Sequence, residues 1–198
     1  MIEEPVQGFG EREEHPVRQD TIRSNGLQPR ALSTDTVSDI RFVADVMLGK
    51  LARWLRALGL DTLYFRDASD ARLLGIALRE NRHLLTRDVG LAARAGRTAL
   101  LVRAERLDGQ LHEVVERYGV TVRAPLSRCL LCNGELRQRH PREVRERVPP
   151  YTFATQPLFW ECVGCRRVYW AGTHAEGILT RLHAYMGDAV HDGAGPPS

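Results

Sequence analysis

At 198 residues the chain can hold one or two domains with a sizeable core, and its 43% hydrophobic and 27% charged composition excludes both a miniprotein and a wholly disordered chain. The net charge of +3 conceals an asymmetry: residues 1–40 carry four Arg against eight Asp or Glu, leaving 24 basic and 17 acidic residues in a clearly basic remainder, and such an excess suits a polyanion, because each phosphate neutralised releases counterions. No run approaches the roughly 20 apolar residues of a membrane-spanning helix, and Met1, Glu3 and Glu4 do not open a secretion signal, so the expected location is the cytoplasm, with no membrane partner.

Residues 1–40 mix Glu, Arg, Pro, Gly and Ser without a sustained apolar period, and they are expected to be a disordered tail. From Arg41 short apolar runs alternate with helical stretches. Arg41 to Asp45 reads as a strand, and Met47 to Leu58 as a helix with Leu48, Leu51, Leu55 and Leu58 on one face and Gly59 as its stop. A strand at 61–65, a helix at 71–80, a strand at 83–86, a short helix at 89–95, a strand at 98–102 and a helix at 107–118 follow, with Val120 to Val122 as a candidate fifth strand. Such alternation predicts an α/β fold with a mostly parallel sheet and helices on both faces. Residues 126–171 differ in kind, with two cysteine pairs, Pro149-Pro150 and six of the thirteen aromatic residues. A C-terminal helix over 173–186 and a second tail over 187–198 complete the chain.

Three aspartates fall at one predicted edge. Asp45 closes the first strand, Asp88 closes the third, and Asp70 lies in the loop leaving the second, so all three face the crevice beyond the carboxyl ends of a parallel sheet. Clustered carboxylates repel unless a cation sits between them, and hard oxygen ligands favour Mg²⁺ or Mn²⁺, which activate water and neutralise charge on a phosphodiester. Each aspartate also precedes a helix, where Asp is a favoured N-cap. Asp67 competes for the middle position, Asp61 starts a strand, and Asp108 caps a helix or supplies a fourth acid. Lys50, Arg53 and Arg56 recur every three residues on the first helix, beside its leucine stripe, and with Arg87 they are the expected cations for the phosphates of a nucleic acid, a solvated polar face being the alternative for the helix residues. Trp54, in the same stretch, is expected to be semi-buried in packing.

Cys129-Leu130-Leu131-Cys132 and Cys162-Val163-Gly164-Cys165 are two C-x-x-C knuckles. Four thiolates complete a closed tetrahedral site, so a structural Zn²⁺ is expected on Cys129, Cys132, Cys162 and Cys165. Between the knuckles, Arg137, Arg139, His140, Arg142, Arg145 and Arg147 form a basic tract, offset by Glu143 and Glu146, that suits either nucleic acid or water. The aromatic residues from Tyr151 to Trp170 offer stacking surfaces or simply pack around the zinc.

The run Phe42 to Arg56, then Leu84-Leu85-Thr86-Arg87-Asp88, Cys129 to Gly134, Val148 to Tyr151 and Cys162 to Cys165 together resemble the Mut-seven C-terminal RNase-domain family over roughly residues 41–172. The resemblance implies a PIN-like nuclease domain over 41–124 and a zinc ribbon over 125–172. It also implies a metal-dependent RNase with Asp45, Asp70 and Asp88 as its catalytic and Mg²⁺- or Mn²⁺-binding acids, and Lys50 and Arg53 supporting phosphate. RNA is the expected partner, with tRNA and the ribosome as candidate forms. A non-catalytic RNA- or ribosome-binding module is the alternative, and the acid cluster separates the two.

Overall fold

The computed structural model describes residues 40–120 and 125–186. Four short strands, β1 (Phe42–Ala44), β2 (Thr62–Tyr64), β3 (His83–Thr86) and β4 (Ala99–Leu101), pair in the order β2-β1-β3-β4, all parallel, as the alternation predicts. The crossovers are α1 (Gly49–Ala57), α2 (Asp70–Arg79) and α3 (Val89–Ala95), and α4 (Leu107–Tyr118) follows β4. Side chains alternate across the strands, so the sheet feeds two cores. Phe42, Ala44 and Leu85 pack with Leu48, Leu51, Leu55, Leu111 and Val114 on the α1/α4 face, whereas Val43 and Leu84 pack with Leu73, Ile76 and Leu91 on the α2/α3 face. The candidate fifth strand lies outside the described residues, apart from the buried Val120.

The first helix departs from expectation at its start. A 3₁₀ turn, Val46–Leu48, precedes α1, capped by the Asp45 side chain. Tyr64 explains the turn: its hydroxyl donates to the Val46 carbonyl at 3.1 Å, and a Cβ at Gly49 would stand 2.7 Å from its ring. The helix ends where predicted. Gly59 follows at φ 86°, a conformation only glycine adopts without strain.

Beyond α4, strands β5 (Leu136–Arg139), β6 (Phe159–Cys162) and β7 (Val168–Trp170) form an antiparallel sheet in sequence order, consistent with a zinc ribbon. Its β5–β6 connection carries two short helices, α5 (Pro141–Val144) and α6 (Pro150–Thr155), over a small core of Val144, Val148 and Phe159. Glu161, only 2% exposed, is the polar centre of this unit: Arg139 Nε, Arg147 Nη1 and Arg166 Nε lie 2.9, 2.7 and 3.0 Å from its carboxylate. Arg147 foremost, against the opposing effect of burial, and then Arg139 and Arg166 hold that carboxyl below its usual range. Two arginines of the predicted basic tract are therefore spent inside the ribbon.

The last helix, α7 (Thr173–Met186), returns to the parallel-sheet unit. Leu182 is fully buried in the α1/α4 core, and Tyr185 meets Trp54 edge-on at 5.4 Å between ring centroids. The semi-buried packing expected for Trp54 is what the fold uses. Among the described residues no helix is long and apolar enough to cross a membrane.

Candidate active site and metal centre

At the carboxyl edge of the sheet, adjacent strands β1 and β3 deliver Asp45 and Asp88 to either side of one hydroxyl. Thr86 Oγ1 donates to Asp45 Oδ2 at 2.6 Å and accepts the Asp88 backbone N–H at 2.9 Å. Both carboxylates also cap the chain that follows them, Asp45 Oδ1 accepting from Val46 N–H and Asp88 Oδ1 from Leu91 N–H, each at 2.6 Å. Capping leaves ligand capacity, since each carboxylate oxygen carries two lone pairs. Asp45 is only 5% exposed, whereas Asp88 faces solvent. Gly90 keeps clearance beside Asp88, because a Cβ there would stand 3.2 Å from Oδ1.

Asp70 is placed differently. Ser69, not Asp70, caps α2, and the half-exposed Asp70 carboxylate is ion-paired with Arg94 of α3. Asp67 is exposed in the preceding loop. Among the described residues, the four cysteines are the one group of three or more His, Cys, Asp or Glu whose ligand atoms all lie within 4.8 Å of one another. The three aspartates thus share an edge without forming a preassembled cluster.

The expected cations divide. Lys50 and Arg53 stand exposed on α1, and Arg87 is half-buried beside Asp88. Arg56 is 4% exposed and does not face solvent: its Nε donates to the Thr62 carbonyl at 2.8 Å, and its Nη1 to the Leu130 and Leu131 carbonyls at 3.2 and 2.8 Å. Its assignment to RNA binding is therefore corrected. The same three-residue spacing that placed it beside Lys50 and Arg53 carries it around the helix into the seam between the two units.

Next to the acid edge lies an open cleft of ≈ 450 Å³, lined among others by Met47, Lys50, Arg87, Glu105, Asp108 and Tyr185. One wall is the loop after β4. Glu113 holds it by accepting from the Arg103 and Ala104 N–H groups at 2.9 and 2.7 Å, and Gln110 Nε2 donates to the Ala104 carbonyl at 3.1 Å. Asp108 lies in the first turn of α4, 3.3 Å from Arg106, rather than capping it.

Between the first knuckle and the second, which runs from the end of β6 into the turn that follows, the Cys129 and Cys165 Sγ atoms lie 3.6 Å apart, and those of Cys132 and Cys162 3.3 Å. Tetrahedral Zn–S bonds of about 2.3 Å require sulfurs roughly 3.8 Å apart, so the set fits Zn²⁺ with little adjustment. Gly134 makes the approach possible, because a Cβ there would fall 2.8 Å from Cys162 Sγ. Burial alone would raise the Cys129 thiol, but the Tyr169 hydroxyl at 3.0 Å and backbone N–H groups bring it down to about 6, while burial pushes Cys162 up to about 12. Cys129 thus favours the thiolate, whereas Cys162 and Cys165, both raised by burial, need the metal's charge to ionise.

The first knuckle is keyed to the sheet. Asn133, at φ 70°, accepts from Thr62 N–H at 2.9 Å and donates to Asp61 Oδ1 at 2.7 Å, while Arg128 Nε donates to the Gly59 carbonyl. Asp61 also receives Arg82 Nη1 at 2.6 Å. Burial opposes its ionisation, yet hydrogen bonds from Arg82 and Asn133 hold its carboxyl below the usual range.

Sequence reasoning gave no role to Thr86 or Tyr185, and it read Asn133 only as the turn of the first knuckle and Tyr169 only among the stacking or zinc-packing aromatics, without their partners Thr62, Asp61 and Cys129. Thr86 alone carried a local signal, sitting two residues before Asp88 at the end of an apolar strand. In comparison with known proteins, the family model described as Mut7-C RNAse domain matches residues 40–182. No curated protein and no solved structure matches the chain.

Proposed function

From the premise that the chain belongs to the Mut7-C RNAse-domain family, which gives it a nuclease-like, RNA-related role, we propose that it is a divalent-metal-dependent ribonuclease acting at the carboxyl edge of the parallel sheet. What supports the reading is the Asp45–Thr86–Asp88 unit: a buried and an exposed carboxylate at the ends of neighbouring strands, joined through one hydroxyl, with Met47 and Arg87 beside them in sequence lining the cleft.

Asp45 and Asp88 are the principal Mg²⁺ or Mn²⁺ ligands. Asp70 joins them once its ion pair with Arg94 opens, at a cost of about 0–1 kcal/mol for so exposed a pair. A cation held there would supply charge neutralisation on the phosphodiester and activation of water. The chain's own residues do the rest. Lys50, Arg53 and Arg87 bind the flanking phosphates, the first and last from the walls of the cleft. Thr86 orients the Asp45 carboxylate, and Tyr64 with Gly49 fixes the turn that aims it. The four-cysteine site, with Zn²⁺ bound, is structural and suits a reducing compartment such as the cytoplasm.

The expected result is Mn²⁺-dependent cleavage of single-stranded RNA by the purified chain, abolished in Asp45→Asn and in Asp88→Asn. Asn still caps a helix, so the substitution removes the ligand without removing the cap. Full activity in both variants would overturn the assignment. The unassembled state of the three acids favours a second reading, a non-catalytic RNA- or ribosome-binding module, in which RNA binds the parent chain but is not cut.

A further inference from the structure

The cleft beside the acid edge has a composition that metal binding does not explain. Lys50 and Arg87 line it with no ion pair or side-chain hydrogen bond to another described residue, although nine ion pairs join charged groups elsewhere and a tenth, between Arg106 and Asp108, lies in the cleft's own lining. The lining also holds two carboxylates: Glu105, on the loop that Glu113 and Gln110 pin to α4, and Asp108, in the first turn of α4, whose partner Arg106 is solvent-exposed and yields to a ligand at little cost. The aromatic component comes from the far end of the chain. Tyr185 of α7 lines the cleft and is set edge-on against Trp54, which fixes the ring's tilt. Free cations, carboxylate acceptors and a braced aromatic ring around ≈ 450 Å³ match three features of a nucleotide, its phosphate, the donor edge of its base and the face of its base.

We propose that this cleft is a base-selective nucleotide subsite for single-stranded RNA, in which Tyr185 stacks one base, Glu105 and Asp108 accept from its amino edge, and Lys50 and Arg87 hold the adjacent phosphate. The proposal rests on the reading of the acid edge as a site acting on RNA, and adds a substrate preference to it. Carboxylates select bases that offer N–H donors side by side. Guanine does so with N1–H and N2–H₂, whereas the single N–H of uracil is flanked by two carbonyl oxygens that a carboxylate repels. Stacking on an aromatic ring is sequence-tolerant, so the acids carry the preference and the tyrosine carries the affinity. Arg87 immediately precedes Asp88, and Lys50 sits in the first turn of α1, which follows Asp45, so a phosphate held by the two would bring the neighbouring linkage to the acid edge.

The test separates binding from cutting. Zinc-loaded full-length chain carrying Asp88→Asn is titrated, without added Mg²⁺ or Mn²⁺, into fluorescently labelled hexauridylate and into the same hexamer with one uracil replaced by guanine. The guanine hexamer is expected to bind tighter, by roughly 5- to 150-fold for one well-placed bidentate contact. Tyr185→Ala should weaken binding of both by a similar factor while Tyr185→Phe retains it. Glu105→Gln with Asp108→Asn should erase the difference between the hexamers. Lys50→Ala with Arg87→Ala should lower the slope of log K against log salt by about 1.4. Tyr185→Leu guards against loss of α7, with tryptophan fluorescence reporting that Trp54 remains packed. Equal binding of the two hexamers by the parent, or parent-like binding by both Tyr185→Ala and Tyr185→Leu, overturns the subsite. If the wild-type chain cuts RNA while those results hold, the subsite falls and the nuclease stands. If guanine-selective, Tyr185-dependent binding occurs without any cleavage by the wild type, the nuclease reading falls and the subsite stands.

Discussion

Thr86 holds the two best-placed acids in register with a single hydroxyl, donating to the Asp45 carboxylate and accepting from the Asp88 backbone. Thr86→Val keeps the shape and removes both bonds. It is expected to leave the fold intact and to reduce Mn²⁺ affinity or cleavage by about 10- to 100-fold, the usual effect of losing a group that orients a metal ligand; metal titration of the folded variant checks it. Arg56 occupies the opposite kind of position, buried with its guanidinium divided among carbonyls of β2 and the first cysteine knuckle. Arg56→Met removes the donors and strands those acceptors, so a loss of about 1–3 kcal/mol is expected, read as a lower urea midpoint with RNA affinity unchanged once the chain is folded.

At the scale of elements, the parallel sheet was legible in the sequence because short, near-continuous apolar runs alternate with helical stretches from Phe42 to Tyr118, the pattern of strands covered on both faces. The cysteine spacing was equally plain. What pattern alone did not reveal was the seam, since Arg56, Asp61, Arg82, Arg128 and Asn133 are polar residues in surface-like contexts whose partners lie up to 75 positions away. The assembly state of the acids was hidden for a related reason: the strand-end position of Asp45 and Asp88 is local information, whereas the pairing of Asp70 with Arg94 is set by how α2 packs against α3. The seam has a pH signature. Asp61 has a depressed folded pKa, so its contribution is fully present above the unfolded carboxyl value of about 3.9 and is lost as pH falls through the lower folded value. Asp61→Asn is therefore expected to lower stability at pH 7 and to flatten its decline below pH 4, measured as urea midpoints across that range.

For the whole molecule, the ribbon is an excursion between α4 and α7 rather than an appendage after the sheet, because α7 comes back to place Leu182 in the α1/α4 core. Removing zinc with a chelator is expected to expose the amides of β5, β6 and β7, whose small apolar core does little to hold the ribbon without the metal. Hydrogen exchange should show protection retained at β1 and β3 and lost in part at Thr62, which Asn133 of the knuckle holds. Uniform loss across both sheets would show a single cooperative unit instead. The return of α7 also has a consequence for the order in which the molecule is made. A ribosome releases the strands that lead into Asp45 and Asp88 early, but the helix that carries Leu182 and Tyr185 emerges only after both cysteine knuckles. At roughly 5–20 residues per second, the nascent chain spends several seconds with its acid edge formed and one wall of its cleft missing. A chain bearing a premature stop anywhere in the ribbon would stay in that unfinished state, so synthesis itself withholds a complete cleft from every truncated copy.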